Sequence, residues 1–183
     1  MKKLFVVFCL LGILLVNCAS TGNVENNNRG FNSEIHGELY IEKNAGFSMH
    51  IPKGWEIRDM NQKYLMIIGP VEDNFSPNIN FVDEQYSGQI PEYIDAAIAL
   101  ISQFYADLEV IENENFMTNT GLEGSFITLH GRINEIEVRQ KIYVIPNKIK
   151  SMVMVITGSA SSASGTKFDM LFDECIKTFN WTK

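Results

Sequence analysis

Apolar and polar residues alternate in short, well-separated segments along most of the chain, and this pattern predicts a protein built mainly of β-strands. The predicted strands cover 39–41, 47–51, 64–68, 78–82, 109–117, 122–131, 135–145 and 149–157. Short links at 131–134 and 146–148 predict hairpins, so that neighbouring strands run antiparallel. The strand at 122–130 carries several polar side chains and is therefore predicted to lie at an edge of the sheet.

Two segments have the spacing of amphipathic helices. Apolar side chains recur every three or four residues from Ile94 to Leu108, which predicts a helix over 91–107 with Pro91 in its first turn. A second stripe, from Phe168 to Phe179, predicts a C-terminal helix with Thr166 as its N-cap.

The strands also indicate how many faces of the sheet are covered. In the segments 65–68, 142–145 and 152–156, the side chains that point to either face of the sheet are apolar. A strand with one solvent-exposed face instead alternates apolar and polar side chains. Two amphipathic helices are available to cover the two faces. The sequence therefore predicts an α+β fold, a three-layer α/β/α sandwich with a central, mostly antiparallel sheet covered by helices on both faces.

The N-terminus has the pattern of an export signal. Two lysines precede the thirteen-residue apolar run Leu4–Val16, which is shorter than the roughly 20 residues that a transmembrane helix needs. Residues 1–17 are thus a predicted signal peptide. Residues 18–33 are rich in Asn and poor in large apolar side chains, which predicts a flexible tether, and 34–183 form one domain.

The end of the apolar run, Leu15-Val16-Asn17-Cys18, resembles the lipobox of bacterial lipoproteins, although Asn17 stands where Gly, Ala or Ser is usual. The resemblance implies that Cys18 is acylated and becomes the first residue of the mature chain, held at the membrane by its acyl chains. Ala19, which is not the Asp of inner-membrane retention, favours the outer membrane by analogy. The alternative is an ordinary signal peptide cleaved at a small residue such as Ala19.

Charge and cysteine content narrow the functional classes. The 183 residues include 15 Lys and Arg against 22 Asp and Glu, a net charge of −7, so the chain lacks the positive field that gathers nucleic-acid phosphates. Cys9 leaves with the signal and Cys18 is acylated, so Cys175 has no disulfide partner within the chain. Its place on an apolar stripe is typical of an inert core thiol.

No catalytic or metal-binding motif is evident. His36, His50 and His130 are all more than ten residues apart, whereas zinc ligands commonly include a close pair. The segment Gly158–Lys167 lies between a strand and a helix, as a phosphate-binding loop does, but six residues instead of four separate its glycines, and Thr and Lys are reversed. We predict no catalytic residues, no metal and no cofactor.

Two polar segments are candidate contact sites. Acidic residues at 107, 109, 112 and 114 are typical of a solvated strand, with a divalent cation or a basic partner as the alternative. In the loop 69–78, an apolar residue at a polar tip predicts a recognition loop, unless the same ring closes the sandwich. The candidate loop residues are Asp73, Asn74, Phe75 and Ser76.

Several short segments resemble the PsbP-like family, which includes a photosystem II subunit, a Ran-binding nuclear import factor and bacterial lipoproteins. These segments are Gly46–Trp55, with its Pro-x-Gly-Trp ending, Ile90–Ile94, Leu122–Gly124 and Phe172–Trp181. The resemblance covers nearly all of 38–181. It implies an α/β/α sandwich and a protein that binds or assists assemblies and is not an enzyme; the metal positions of the photosynthetic members have no match here.

The sequence thus predicts an exported, membrane-anchored lipoprotein that serves as a non-catalytic binding or assembly module for other envelope proteins. Its predicted partners are the membrane, through acyl chains on Cys18, and unidentified envelope proteins. The alternative function is that of a carrier for a small apolar ligand, which requires a cavity between sheet and helix.

Overall fold

The computed structural model describes residues 35–59, 64 and 66–182. The predicted signal peptide, the lipobox-like motif with Cys18 and the tether at 18–33 lie outside these residues. Within the described part of the chain, no helix has both the length and the apolarity to cross a bilayer.

The described residues form two antiparallel sheets, two α-helices and a short 3₁₀ helix at Ser162–Ser164. In chain order the elements are β1 (His36–Glu42), β2 (Phe47–Pro52), β3 (Glu56–Arg58), β4 (Met66–Ile68), β5 (Asn78–Gln85), α1 (Ile90–Ile101), β6 (Ala106–Met117), β7 (Glu123–Ile133), β8 (Ile136–Asn147), β9 (Met152–Ser161), α2 (Lys167–Lys177) and β10 (Asn180–Trp181). Seven strands form the large sheet in the order β3-β4-β5-β9-β8-β7-β6, and the small sheet has the order β1-β2-β10. The prediction of a mostly antiparallel sheet with two helices is confirmed.

Helix α1 packs on one face of the large sheet. Its apolar stripe buries Tyr93, Ile94, Ala97 and Ile101 in one cluster with residues of β7, β8 and β9. Leu129 of β7 is fully buried in this cluster. Each large apolar side chain that is removed from water in this way stabilises the fold by roughly 1.5–3 kcal/mol.

The opposite face is covered by α2 together with the small sheet. Phe168, Phe172 and Ile176 of α2 join Phe47 and Met49 of β2 in a second cluster, which packs on the inner side chains of the central strands. The prediction that helices cover both faces is therefore only partly met, because the small sheet shares the second face with α2. Strand β2 of this second sheet alternates, with Phe47, Met49 and Ile51 buried and Ser48 and His50 half-exposed, as a strand with one covered face does.

The edge of the large sheet differs from the prediction. Strands β3 and β6 are the two edges, and β7, which contains the segment 122–130 predicted as an edge, lies between β6 and β8. The polar side chains of β7 have partners on β6: Ser125 donates to Asn115 Oδ1 at 2.8 Å, and Thr128 donates to Glu112 Oε2 at 2.5 Å. The polar side chains of β7 therefore contact polar side chains of the neighbouring strand β6 and do not mark a solvent-exposed edge.

The first helix is shorter than predicted. It ends at Ile101, while Tyr105 and Leu108 continue the apolar spacing from outside the helix. Tyr105 is buried in the α1 cluster, and its hydroxyl donates to the side-chain oxygen of Gln140 on β8. The spacing thus continues because the chain still runs over the same core, although the backbone is no longer helical.

Turns and caps also differ in position. The turn predicted at 131–134 lies at Asn134 and Glu135, both at positive φ, as a two-residue hairpin turn of type I′ requires. The turn predicted at 146–148 lies at 148–151, after β8 has ended at Asn147. Thr166 precedes α2 as predicted, but its side chain makes no capping hydrogen bond.

Candidate functional site: the edge strand

Strand β6 is the most exposed regular element of the large sheet. It has twelve residues, and within that sheet it is hydrogen-bonded to β7 alone. Three of its large apolar side chains are open to solvent: Val110 (42 %), Ile111 (42 %) and Met117 (58 %). Both parities of the strand are mainly exposed, so neither helix covers it.

The register of β6 divides the strand into two parts. Its pairing with β7 shifts between Ala106 and Glu109 and again between Val110 and Glu112, whereas Glu112 to Met117 pair without interruption. Bulges of this kind twist an edge and limit its pairing with other chains. The six-residue segment Glu112–Met117 has no bulge and presents backbone groups that an added strand can use.

The acidic side chains of β6 differ in their partners. Asp107 accepts from Arg132 Nη2 at 2.6 Å, and the pair is exposed. Glu112 accepts from Thr128 and lies 3.8 Å from Lys141 Nζ. Glu114 is exposed and forms no ion pair with any residue that the structure describes. The continuous half of the edge is therefore negatively charged.

Behind this edge, a charged cluster joins α2 to the sheet. Arg139 donates to both carboxylate oxygens of Asp169, at 2.6–3.0 Å. Lys141 is only 5 % exposed, and its Nζ donates to Asp173 at 3.0 Å. Tyr143 donates to the other oxygen of Asp173 at 2.7 Å. Lys141 is buried and the other partners are partly buried, so these contacts are stronger than surface ion pairs but cost desolvation to form.

The protonation states in this cluster are those of structural pairs. Burial raises the pKa of Tyr143, and the neighbouring carboxylate of Asp173 raises it further, so the phenol remains a donor. The hydrogen bonds to Asp169 raise the pKa of Arg139 more than burial lowers it. Neither group is prepared to exchange a proton near neutral pH, and the cluster holds α2 in place.

The candidate recognition loop is not built as an apolar tip. Phe75 is 7 % exposed and packs in the α1 cluster, so its ring closes the sandwich, as the alternative hypothesis held. Asp73 and Asn74 form the exposed turn at positive φ, and Glu72 pairs with Phe75 across it. A recognition role for Asp73, Asn74 and Ser76 remains a prediction.

Two of the three histidines, His36 and His50, and Cys175 occupy structural positions. His36 Nε2 lies 3.1 Å from the carbonyl oxygen of Glu174, and His50 Nδ1 lies 3.1 Å from that of Gly37. Within 35–59, 64 and 66–182, no three His, Cys, Asp or Glu side chains come together as metal ligands. Burial, followed by the charge of Glu174, raises the pKa of the Cys175 thiol to about 12, so the group is not a nucleophile near neutral pH.

Two spaces are relevant to the alternative carrier function. One lies between α1 and the sheet and has a volume of about 20 Å³, which is room for a single water. Tyr93 donates to Glu84 Oε2 at its wall, and burial raises the pKa of Glu84. The other, about 310 Å³, lies between the β5–α1 loop at 86–89 and the start of β9. The space under α1 is too small for an apolar ligand in this conformation.

The exposed edge was missed at the sequence level. A signal was present, since Val110 and Ile111 are adjacent apolar residues between Glu109 and Glu112, and such a break in alternation is typical of a bulge. The pattern does not reveal which strand lacks a second neighbour, because strand order depends on contacts far apart in the chain.

The fold and site define an α+β protein with an exposed edge strand and two cores. No protein-family model matches the chain, and no curated protein sequence matches it. Solved structures share its fold. Cyanobacterial PsbP (CyanoP) from Synechocystis sp. PCC 6803 aligns with a TM-score of 0.61 and 13 % identity, over 85 % of this chain and 98 % of that one.

Two further structures extend the similarity of fold. LpqN of Mycobacterium tuberculosis, described as involved in cell envelope biogenesis, aligns with a TM-score of 0.59 and 13 % identity, over 80 % of this chain and 90 % of that one. The Saccharomyces cerevisiae Ran-binding protein Mog1p aligns with a TM-score of 0.58 and 9 % identity, over 81 % of this chain and 97 % of that one.

Proposed function

We propose that this protein is a non-catalytic, lipid-anchored binding module of the cell envelope and that strand β6 is its docking surface. The observation that carries the proposal is the exposed edge itself, a twelve-residue strand with one open side and three exposed large apolar side chains. Such an edge binds an extended segment of a partner through backbone hydrogen bonds. The apolar side chains then give the contact its specificity.

The charge of the edge supports one type of partner. Glu112 and Glu114 lie on the uninterrupted half of β6, so a second copy paired edge to edge brings like charges together and is disfavoured. A strand that carries Lys or Arg has the complementary charge. We therefore assign the edge to an extended, basic segment of another envelope protein.

An alternative explanation is that the charged side chains of β6 only protect the edge strand against aggregation. It accounts for the acidic side chains and for the two bulges. It does not account for the exposure of Val110, Ile111 and Met117, because a strand that is protected only against pairing has no need of apolar side chains at its open edge. A docking surface accounts for both features.

Residues 1–33 supply the envelope part of the proposal. We propose that residues 1–17 direct export, that Cys18 is acylated and that the outer membrane is the destination. The description of LpqN as a protein involved in cell envelope biogenesis supports an envelope role. We also propose membership of the PsbP-like family. Gly54, at φ 79°, turns the chain so that Trp55 packs edge to face on Phe168 and Phe172 of α2, which gives the Pro-x-Gly-Trp segment a structural role.

Site-directed photo-crosslinking in cells tests the docking surface. Ile111→p-benzoylphenylalanine on β6 is expected to form a discrete crosslinked species, and Met170→p-benzoylphenylalanine on α2 is the control because Met170 is 66 % exposed. Adding Glu114→Lys is expected to abolish the crosslink, whereas Asp95→Lys on α1 leaves it intact. Equal crosslinking from positions 111 and 170, or no effect of Glu114→Lys, contradicts the assignment.

Detergent phase partition tests the anchor. Wild-type protein is expected in the detergent phase and Cys18→Ala in the aqueous phase, because acyl chains on Cys18 supply the membrane affinity. Mass spectrometry of the wild type is expected to find a mature N-terminus at Cys18 with acyl groups. A mature N-terminus beyond Cys18, or aqueous partition of both forms, refutes lipidation.

A further inference from the structure

The hairpin between β8 and β9 ends in an isoleucine that is almost entirely in solvent. Ile149 is 97 % exposed, the highest value among the exposed large apolar side chains of the described residues. Lys148 and Lys150 flank it, are exposed, and form no ion pair with any residue in 35–59, 64 or 66–182. The tip therefore presents an apolar side chain between two exposed lysine side chains.

Other loops meet this tip at the same end of the molecule. Lys150 Nζ lies 3.2 Å from the point that a Cβ on Gly46 would occupy, so the β1–β2 turn adjoins the hairpin. That turn contributes Lys43, which is exposed. The backbone N–H of Tyr86, in the β5–α1 loop, donates to Ser151 O at 2.9 Å.

Acidic residues also lie near this end, among them Glu42, Glu84, Glu92 and Glu123, but none of them is on the tip itself. Glu42 already accepts hydrogen bonds from Tyr40 and from the backbone N–H of Asn44. Glu92 lies in the first turn of α1; loss of solvent, and after it the charge of Glu92, raises the pKa of Tyr86. The tip itself carries Lys148 and Lys150 and no acidic residue, in a chain whose net charge is −7.

We propose that the tip Lys148–Ile149–Lys150 contacts an anionic bilayer surface, with Ile149 in the boundary between headgroups and acyl chains and both lysines at lipid phosphates. Lysine next to an exposed apolar side chain is the combination that binds membrane interfaces. The overall negative charge does not prevent this contact, because screening over about 8 Å at physiological salt leaves the nearest charges to dominate.

This inference rests on the proposed lipid anchor, which keeps a weak contact at high effective concentration. Strand β1 begins at His36, at the end of the small sheet opposite the β1–β2 turn. When the tip is at the membrane, the segment before His36 must therefore span the length of this seven-residue strand, about 20 Å. A flexible coil of the residues between Cys18 and His36 has a root-mean-square length of roughly 20–25 Å. The predicted tether is therefore long enough.

A fluorophore at the tip tests the contact in the full-length lipidated protein. Ile149→Cys is labelled with nitrobenzoxadiazole and reconstituted in phosphatidylcholine vesicles with or without phosphatidylglycerol. Met170→Cys on α2 is the matched control, and the labelled wild type measures the background from Cys175. The label at 149 is expected to shift to the blue and to be quenched by brominated lipid in anionic vesicles only, while the label at 170 remains in water.

Charge removal and flotation complete the test. Lys148→Gln with Lys150→Gln is expected to lower the docking equilibrium constant about 30-fold, a factor of about five for each lysine. An unshifted label at 149, or an equal shift in pure phosphatidylcholine, overturns the proposal. Protein that floats with the vesicles but has an unshifted label leaves the anchor intact, whereas protein that does not float overturns both proposals.

Discussion

Truncating Asp173 tests whether the buried charged cluster holds α2 on the sheet. Asp173→Ala removes the carboxylate that accepts from Lys141 Nζ at 3.0 Å and from the Tyr143 hydroxyl at 2.7 Å. Lys141, which is 5 % exposed, is left with Glu112 at 3.8 Å as its one ion-pair partner among the described residues. An ammonium group in that position has lost its best partner without regaining water.

The expected cost follows from the burial of each partner. Breaking a buried ion pair costs about 3–5 kcal/mol, and the 31 % exposure of Asp173 and the remaining Glu112 reduce this to about 2–3 kcal/mol. For a domain of this size the melting temperature falls by roughly 4–12 °C. Lys141→Met costs less, about 1 kcal/mol, because the half-exposed carboxylate that remains is solvated.

Urea unfolding of the two single variants and the double variant measures the coupling. The double variant is expected to be more stable than the sum of the two single losses predicts, because no charge is left buried. Glu174→Ala is the matched control on the same helix, since it removes a half-exposed i,i+3 pair with Lys177 that contributes about 0.5 kcal/mol. A loss below 1 kcal/mol for Asp173→Ala, or additive losses in the cycle, refutes the role assigned to the cluster.

Three further predictions concern the two cores. Gly158→Ala is expected to cost about 1–3 kcal/mol in urea unfolding, because the added Cβ would lie 2.6 Å from the ring of Phe172; an unchanged midpoint contradicts this. Cys175 is expected to resist iodoacetamide in native protein at pH 8 and to react in urea, since burial raises its pKa to about 12; rapid native labelling contradicts this. Burial raises the pKa of Glu84 above its ordinary value, so the folded state binds the proton more tightly than the unfolded state and ionisation above that pKa destabilises it. Glu84→Gln is therefore expected to be more stable than wild type at pH 7, with the difference vanishing as the pH falls through the raised pKa; the opposite trend contradicts it.

The parts of the fold that depend on local pattern were predictable from the sequence. Apolar residues on both parities of β8 and β9 indicate burial on both faces, and the stripe from Phe168 onward places α2 within two residues of its observed range. These signals are local because side-chain spacing follows directly from backbone geometry.

The parts that depend on pairing between distant segments were not predictable. From the sequence alone, Thr128 on β7 suggests an exposed edge strand. In the structure its hydroxyl donates to Glu112 on the neighbouring strand β6. From the sequence alone, Phe75 suggests an exposed apolar loop tip. In the structure its ring is buried in the α1 cluster. In each case the residue type is compatible with solvent and with a specific partner, and only the fold distinguishes between them. The docking surface depends on strand order for the same reason.

The two proposed surfaces constrain each other through the strand directions. Met117 of β6 pairs with Glu123, and Ser125 two residues later pairs with Val144, three residues before the end of β8. The Met117 end of β6 and the hairpin tip are therefore at the same end of the large sheet. If Ile149 contacts the bilayer, β6 stands at an angle to the membrane with Met117 nearest to it. A partner strand on this edge then runs from the membrane side of the domain outward, so the two proposed contacts can form at the same time.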